Sequence, residues 1–223
     1  MNSCTTRTAA WTLSRWLRFL AFPLTLLTYA NAQAQNVSVS GALAGNGSYP
    51  TLGAAFNGIN AAAQTGANIV VSIDASTNEG GTPAVLSSNS WSSLVIYPSV
   101  TGITVSSATA TGRGVIELNG ADNVTLNGAV GGAGNVRDLT ITNTASSTTT
   151  YTAVVRIAVL ASTQTSADNN AIRNCNLNGS ATGRNLSSAT STTGSENTTF
   201  GIYAGGNGGA TTPTALTSVT SNT

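Results

Sequence analysis

Residues 121–128 read Ala-Asp-Asn-Val-Thr-Leu-Asn-Gly, and residues 167–179 read Ala-Asp-Asn-Asn-Ala-Ile-Arg-Asn-Cys-Asn-Leu-Asn-Gly. Each sets Asp-Asn ahead of a short alternating apolar run and closes on Asn-Gly. Recurrence of a short strand with a tight polar corner is the signature of a solenoid, in which each repeat buries its apolar face against its neighbours. The expected class is all-β: a right-handed parallel β-helix with a short N-terminal capping α-helix.

Working outward from these two stretches, the chain aligns into coils of three strands. First strands are expected at Ile69–Ile73, Val115–Leu118, Val154–Ala158 and Phe200–Ala204. Second strands fall at Leu94–Tyr97, Val124–Leu126 and around Ala171–Ile172, and third strands at Ile103–Val105, Leu139–Ile141 and Cys175–Leu177. Each strand then pairs with its counterpart one coil away, at about 4.8 Å. Ile116 and Leu118 should stack inward over Val155 and Ile157, with Phe200 and Ile202 continuing the column. Leu139 and Ile141 should stack over Cys175 and Leu177, making Cys175 a small buried hydrophobe. Glu117 and Arg156 should face solvent one above the other, as an exposed pair worth roughly 0–1 kcal/mol.

The extra residues between third and first strands lie at 106–114, 143–152 and 182–198, and are rich in Ser, Thr and Gly. In register, these loops leave the same side of the solenoid. Insertions gathered on one face often form the binding face of a repeat protein, although loops also lengthen at little cost and without a ligand.

Ahead of the coils, residues 36–42 alternate as a first strand. Tyr49, Leu52, Phe56, Ile59 and Ala63 recur at helical spacing, which predicts a helix over about 50–63 with Ser48 as N-cap and Pro50 in the first turn. That helix would close the open end of the first coil.

Arg7, Arg15 and Arg18 form a basic region, the run 17–27 is mostly apolar, and Ala30-Asn31-Ala32 and Ala32-Gln33-Ala34 both fit small-x-small cleavage. Residues 1–34 read as a secretory signal peptide, the apolar run being too short to span a bilayer. The expected organisation is signal peptide 1–34, strand and capping helix 35–66, and coils 67–223, with Leu216–Thr223 resembling the start of another unit that is cut short. The expected location is secreted or on the outer cell surface, as a monomer with no membrane span after cleavage. Cleavage removes Cys4 and leaves Cys175, so no internal disulfide can form.

Composition excludes several chemistries. Only 7% of the 223 residues are charged, and histidine and lysine are both absent. Without histidine there is no Ser-His-Asp or Cys-His set and no His-based zinc site. Without lysine there is no Walker loop and no lysine Schiff base. Beyond the leader, Arg113, Arg137, Arg156, Arg173 and Arg184 face seven acids, a balance unsuited to nucleic acid. The glycine runs 132–134 and 205–209 read as turns. Asp122 and Asp168 occupy matching corners, with Asp138 and Glu117 nearby in the alignment. They read as Asx-type corners, against a calcium cluster or a hydrolytic carboxylate pair. Asn123, Asn170, Asn174, Asn127 and Asn178 read as amide ladders.

At these two stretches the chain resembles the parallel β-helix repeat proteins of the pectin-lyase-like superfamily. More narrowly, it looks like the N-terminal part of large secreted bacterial surface proteins. Those carry a signal peptide, a segment like Ser48–Asn60, a Glu-Gly-Gly like Glu79-Gly80-Gly81, and coils like Asn169–Leu177. Lyases of the superfamily use a basic proton abstractor beside an acidic calcium cluster. No arginine here sits with a group of acids in matching coils, so no catalytic, cofactor-binding or metal-ligating residue is carried over. The Ser/Thr/Asn-rich face, the paucity of charge and the absence of catalytic sets point to a secreted or cell-surface β-helical scaffold in adhesion or glycan contact through the three loops. Competing readings are the N-terminal part of a polysaccharide lyase or glycoside hydrolase whose active coils lie downstream and, more remotely, an ice-binding array suggested by Thr140 and Thr142.

Overall fold

The computed structural model describes residues 34–146, 149, 151–180 and 199–207. The leader, Cys4, Arg184, the loop 182–198 and the stretch from Leu216 to Thr223 lie outside the described residues. The described residues from Gln35 onward belong to one compact unit.

The fold is predominantly β, with parallel sheets. In chain order the elements are β1 (Val37–Ser40), β2 (Gly47–Tyr49), α1 (Leu52–Asn60), β3 (Asn68–Ile73), β4 (Thr77–Asn78), β5 (Ala84–Ser87) and β6 (Ser93–Pro98). Then come β7 (Ile103–Ser107), β8 (Gly114–Asn119), β9 (Val124–Asn127), β10 (Leu139–Asn143), β11 (Thr152–Val159), β12 (Ala171–Arg173), β13 (Cys175–Asn178) and β14 (Thr199–Asn207). The first sheet has the order β12-β9-β6-β3-β1-β2, the second β13-β10-β7-β4 and the third β14-β11-β8-β5. From β3 onward the chain visits first, second and third sheet in the same cyclic order, four times among the described residues.

This register stacks like on like. Val71 lies opposite Ile96, and Ile96 opposite Leu126. Leu86, Leu118 and Ile157 form a second column, and Val105, Ile141 and Leu177 a third. All but Leu177 are buried, at about 1.5–3 kcal/mol for each side chain withdrawn from water. The pairings of Ile116 with Val155, Leu118 with Ile157, Leu139 with Cys175 and Ile141 with Leu177 agree with the alignment, whereas β14 is shifted by two residues, Phe200 meeting Ala153 and Ile202 meeting Val155.

One expected coil is corrected. Ile69–Ile73 does not begin the column of Val115–Leu118; it pairs along its whole length with β6, in the sheet of the second strands. The place above Val115–Leu118 belongs to β5, and β4 starts the second sheet. Both strands are short and separated by Glu79-Gly80-Gly81-Thr82-Pro83, so they lack the alternation that marks longer strands. Gly205 and Gly206 are corrected as well. They lie within β14, beside the register shift between Ile157 and Val159, and do not form a turn.

The N-terminal end is closed by three devices. β1 runs antiparallel to β3 and pairs with β2, ending the first sheet. α1 packs on β5 and buries Leu52, Ala55, Phe56 and Ile59. Asn60 then takes the part of a missing strand: its Nδ2 donates to Val85 O at 2.9 Å, and its Oδ1 accepts from Ser87 N at 3.1 Å. Glu79 ties the start of the helix to the end of β4, accepting from Leu52 N at 3.1 Å and Gly53 N at 2.8 Å. A carboxylate here satisfies amides that a helix start leaves open. The helix is shorter than expected and its N-cap is Thr51, whose hydroxyl accepts from Ala54 N at 3.1 Å; Ser48 belongs to β2 and Ala63 is exposed.

Asn60→Ala removes both bonds from the β5 edge and leaves Val85 O and Ser87 N beneath the helix without those partners. The expected loss is about 1–3 kcal/mol, read as a lowered urea midpoint. An unchanged midpoint would show that the amide does not close this edge.

Candidate functional site

The repeated Asp-Asn units sit at the connections from third to first sheet. Asn123 and Asn169 both take positive φ, 57° and 56°, a conformation asparagine tolerates better than most side chains. The corners bond one to the next: Asp168 N donates to Asp122 Oδ1 at 2.6 Å and Asn123 N to Asp168 O at 3.0 Å. Ser166 Oγ donates to Asp168 Oδ2 at 2.7 Å. Trp91, buried, donates its Nε1 to Asp122 O at 2.6 Å. Both carboxylates are thus engaged in holding the corner. Burial raises the Asp122 carboxyl above the ordinary aspartate range, and the Asp168 charge adds to this; the amide of Asp168 opposes it.

The asparagines divide. Asn174 Nδ2 donates to Asn127 Oδ1 at 2.9 Å, one step of an amide ladder. Asn170 bonds backbone instead, accepting from Val124 N and donating to Ala121 O. Asn123 and Asn178 are exposed. Between Asn127 and Asn174 lies Gly128, where a Cβ would land on the Asn174 carbonyl. That close approach is why the motif ends in glycine.

The third sheet overturns the expected exposed pair. Glu117 and Arg156 are opposite each other in register, yet both are buried, at 0% and 1% exposure. The partner of Glu117 is Arg113, bidentate through Nε at 2.7 Å and Nη2 at 2.8 Å. Gly114 N adds a third donor at 2.9 Å. Arg156 Nη1 donates to Gly112 O at 2.6 Å. Hydrogen bonding to Glu117 raises the Arg113 pKa, whereas burial lowers that of Arg156, the charge of Arg113 acting the same way and Glu117 against it. The sequence carried a signal for this burial. Thr152–Val159 is nearly continuous apolar residues around one arginine, the pattern of a strand covered on both faces. Arg113 and Glu117 are four apart, hence on one side of an extended chain.

The connections from second to third sheet lie together. Thr144 N donates to Ser107 O at 2.8 Å and Ala153 N to Arg113 O at 2.9 Å. Asn143, buried, spans them by accepting from Thr109 Oγ1 and donating to Ala153 O. Residues 108–113 and 144–146 therefore lie together where β7 and β10 leave the second sheet. The outward side chains of that sheet form two columns in register: Thr104, Thr140 and Asn176, then Ser106, Thr142 and Asn178. None is charged, and each is half-buried or exposed.

Cys175 is half-buried, and burial pushes its thiol up to about 11. Arg137 and Arg173 are exposed, and Arg113 and Arg156 are committed to the third sheet. Among the described residues, no three His, Cys, Asp or Glu side chains converge as metal ligands, and no helix is long and apolar enough to cross a membrane. Models of known protein families, curated proteins and solved structures gave no match to this chain.

Two substitutions separate these roles. Glu117→Gln removes a buried charge from between the half-buried Arg113 and the buried Arg156 and should cost about 3–5 kcal/mol, measured by denaturant unfolding. A cost below about 1 kcal/mol would mean that water reaches the pair. Asp122→Asn keeps the acceptor for Asp168 N and removes the repulsion. Because the folded carboxyl titrates above its unfolded value, its contribution to stability is present at low pH and lost as pH rises through that value. The variant should therefore melt about 2–4 °C higher than the parent at pH 7, with the difference closing near pH 3. A difference independent of pH would rule the mechanism out.

Proposed function

We propose that residues 67–223 form a right-handed parallel β-helix of the pectin-lyase-like kind, and that the protein is a secreted or cell-surface scaffold contacting neutral glycans. Cyclic visiting of three parallel sheets supports the helix, since crossovers between parallel strands of one sheet are almost always right-handed. The observation that carries the function is the second sheet. Its parallel register sets Thr104, Thr140 and Asn176 beside Ser106, Thr142 and Asn178 as two uncharged hydrogen-bonding columns, bordered by 108–113 and 144–146. Such a face offers donors and acceptors to sugar hydroxyls without attracting polyanions.

The scaffold reading also draws on what the polar groups are already doing. Asp122 and Asp168 hold a corner, Glu117 offsets the charge of the arginines around it, and Glu79 caps α1. A carboxylate so committed is poorly placed for general acid–base work, which needs reach to a substrate proton. The signal-like leader accounts for export, and the lone mature cysteine suits a chain stabilised by ladders alone.

The test is a pull-down of the full chain on cellulose, chitin, xylan and pectin, followed by a reducing-end assay on each. Binding to a neutral polymer without chain cleavage is expected. Thr140→Arg with Thr142→Arg should weaken it about tenfold, the loss of roughly one good set of hydrogen bonds. Robust depolymerisation would replace the scaffold reading with a carbohydrate-active enzyme. Absence of binding to every polymer would remove glycan contact.

A further inference from the structure

Asn-Gly closes both copies of the motif, at Asn127-Gly128 and Asn178-Gly179, and recurs at Asn46, Asn57, Asn119 and Asn207. This dipeptide is chemically labile. Glycine has no Cβ to hinder attack by its nitrogen on the preceding side chain, and its backbone bends freely. Folding decides which copies can react, because a buried or bonded site must first open locally. At the first copy both partners are engaged. Asn127 is buried; its Nδ2 donates to Gly132 O at 2.7 Å, and its Oδ1 accepts from Ala129 N at 3.1 Å and Asn174 Nδ2 at 2.9 Å. Gly128 N donates to Arg173 O at 2.9 Å. Asn119 is likewise buried, and Gly120 N donates to Ala158 O at 2.7 Å. Asn46 is held at both ends of its amide by the Ala42 backbone. Gly58 lies inside α1, where the helical ladder holds its N–H. Gly208 lies outside the described residues.

The second copy of the motif differs at each of these points. Asn178 and Gly179 are both exposed. Among the described residues, the Asn178 amide has no hydrogen-bond partner and Gly179 N has no backbone acceptor. Asn178 is the last residue of β13. The turn about its Cα–C bond that carries Gly179 N toward Cγ therefore acts on Gly179 and Ser180, which lie outside the strand.

We propose that Asn178-Gly179 is a site of spontaneous covalent modification, at which Asn178 ages to aspartate and isoaspartate. Gly179 N gives its proton to solvent base and attacks Asn178 Cγ. The bond from Cγ to the side-chain nitrogen breaks and ammonia leaves, closing a succinimide ring. Water then adds to one of the two ring carbonyls. Opening at Cγ yields aspartate, and opening at the backbone carbonyl yields isoaspartate. One water is consumed and one ammonia released, with no oxidation or reduction. The site gives this change a consequence, which rests on the glycan reading above. Asn178 ends the column Ser106, Thr142, Asn178. Ageing there sets a carboxylate into an otherwise uncharged face, so contact with a neutral polymer weakens as the protein ages.

The test holds the full chain in warm, mildly alkaline buffer made with heavy-oxygen water and follows each Asn-Gly peptide by mass spectrometry. Conversion at Asn178 should run roughly tenfold faster or more than at Asn127 and Asn119, with isoaspartate formed beside aspartate. Asn178→Gln, whose longer side chain would have to close a six-membered ring, should stay unconverted at that residue. Conversion at Asn178 no faster than at Asn127, or aspartate without isoaspartate, would overturn the proposal. Binding is read separately on a neutral polymer. Aged parent and freshly made Asn178→Asp should both bind less than fresh parent, and aged Asn178→Gln should bind as it did when fresh. Full conversion with undiminished binding would overturn the stated consequence for the face. Absence of binding by the fresh parent would count against the glycan reading alone, since the conversion is measured without any ligand.

Discussion

Parallel strands paired on both edges leave no backbone group idle, and the rest of this protein is an extension of that arrangement. Each inward residue meets a residue of similar shape on the next strand, as Leu86, Leu118 and Ile157 do. The core is therefore a set of columns, and contacts made far apart in sequence are repetitions of one contact. A fold built this way needs few charges and no disulfide. It does need corners that repeat, because a one-residue slip turns an inward column outward. The Asp122–Asp168 and Asn127–Asn174 bonds lie at such corners, and Gly128 lets two of them approach.

The third sheet shows what happens when polar groups are carried inside. Glu117 is stabilised by a bidentate arginine and a backbone amide, and Arg156 by a carbonyl. Burying ions in this way rarely adds net stability over apolar residues of similar size. The bond that spans the two strands is that of Arg156 to the Gly112 carbonyl, which ties β11 to the segment leading into β8 in this register.

Much of this was legible in the chain. Alternation with Asn-Gly corners announced parallel strands, and the columns through Leu139 and Cys175 and through Ile116 and Val155 could be aligned by eye. The first circuit was misaligned because β4 has two residues and β5 four, too few for a period to appear. Antiparallel β2 went unseen for the same reason: Gly47-Ser48-Tyr49 has no apolar alternation. The burial of Glu117 does not show in the alternation of β8, while the unbroken apolar run around Arg156 marks a strand covered on both sides. The polar columns of the second sheet were visible only as scattered Thr and Asn until register placed them side by side.

The closing of one end by β1, β2 and α1 also gives the molecule a direction in time. These three elements contact one another, and β1 contacts β3, over short sequence distances, so they can assemble before the distant parts of the chain arrive. Once formed, they present β3 and β5 as ready templates, and each later strand adds to an edge that already exists. The unfavourable nucleating step is met once, near the beginning of the polypeptide. Strands added in chain order would thus each meet an edge already formed.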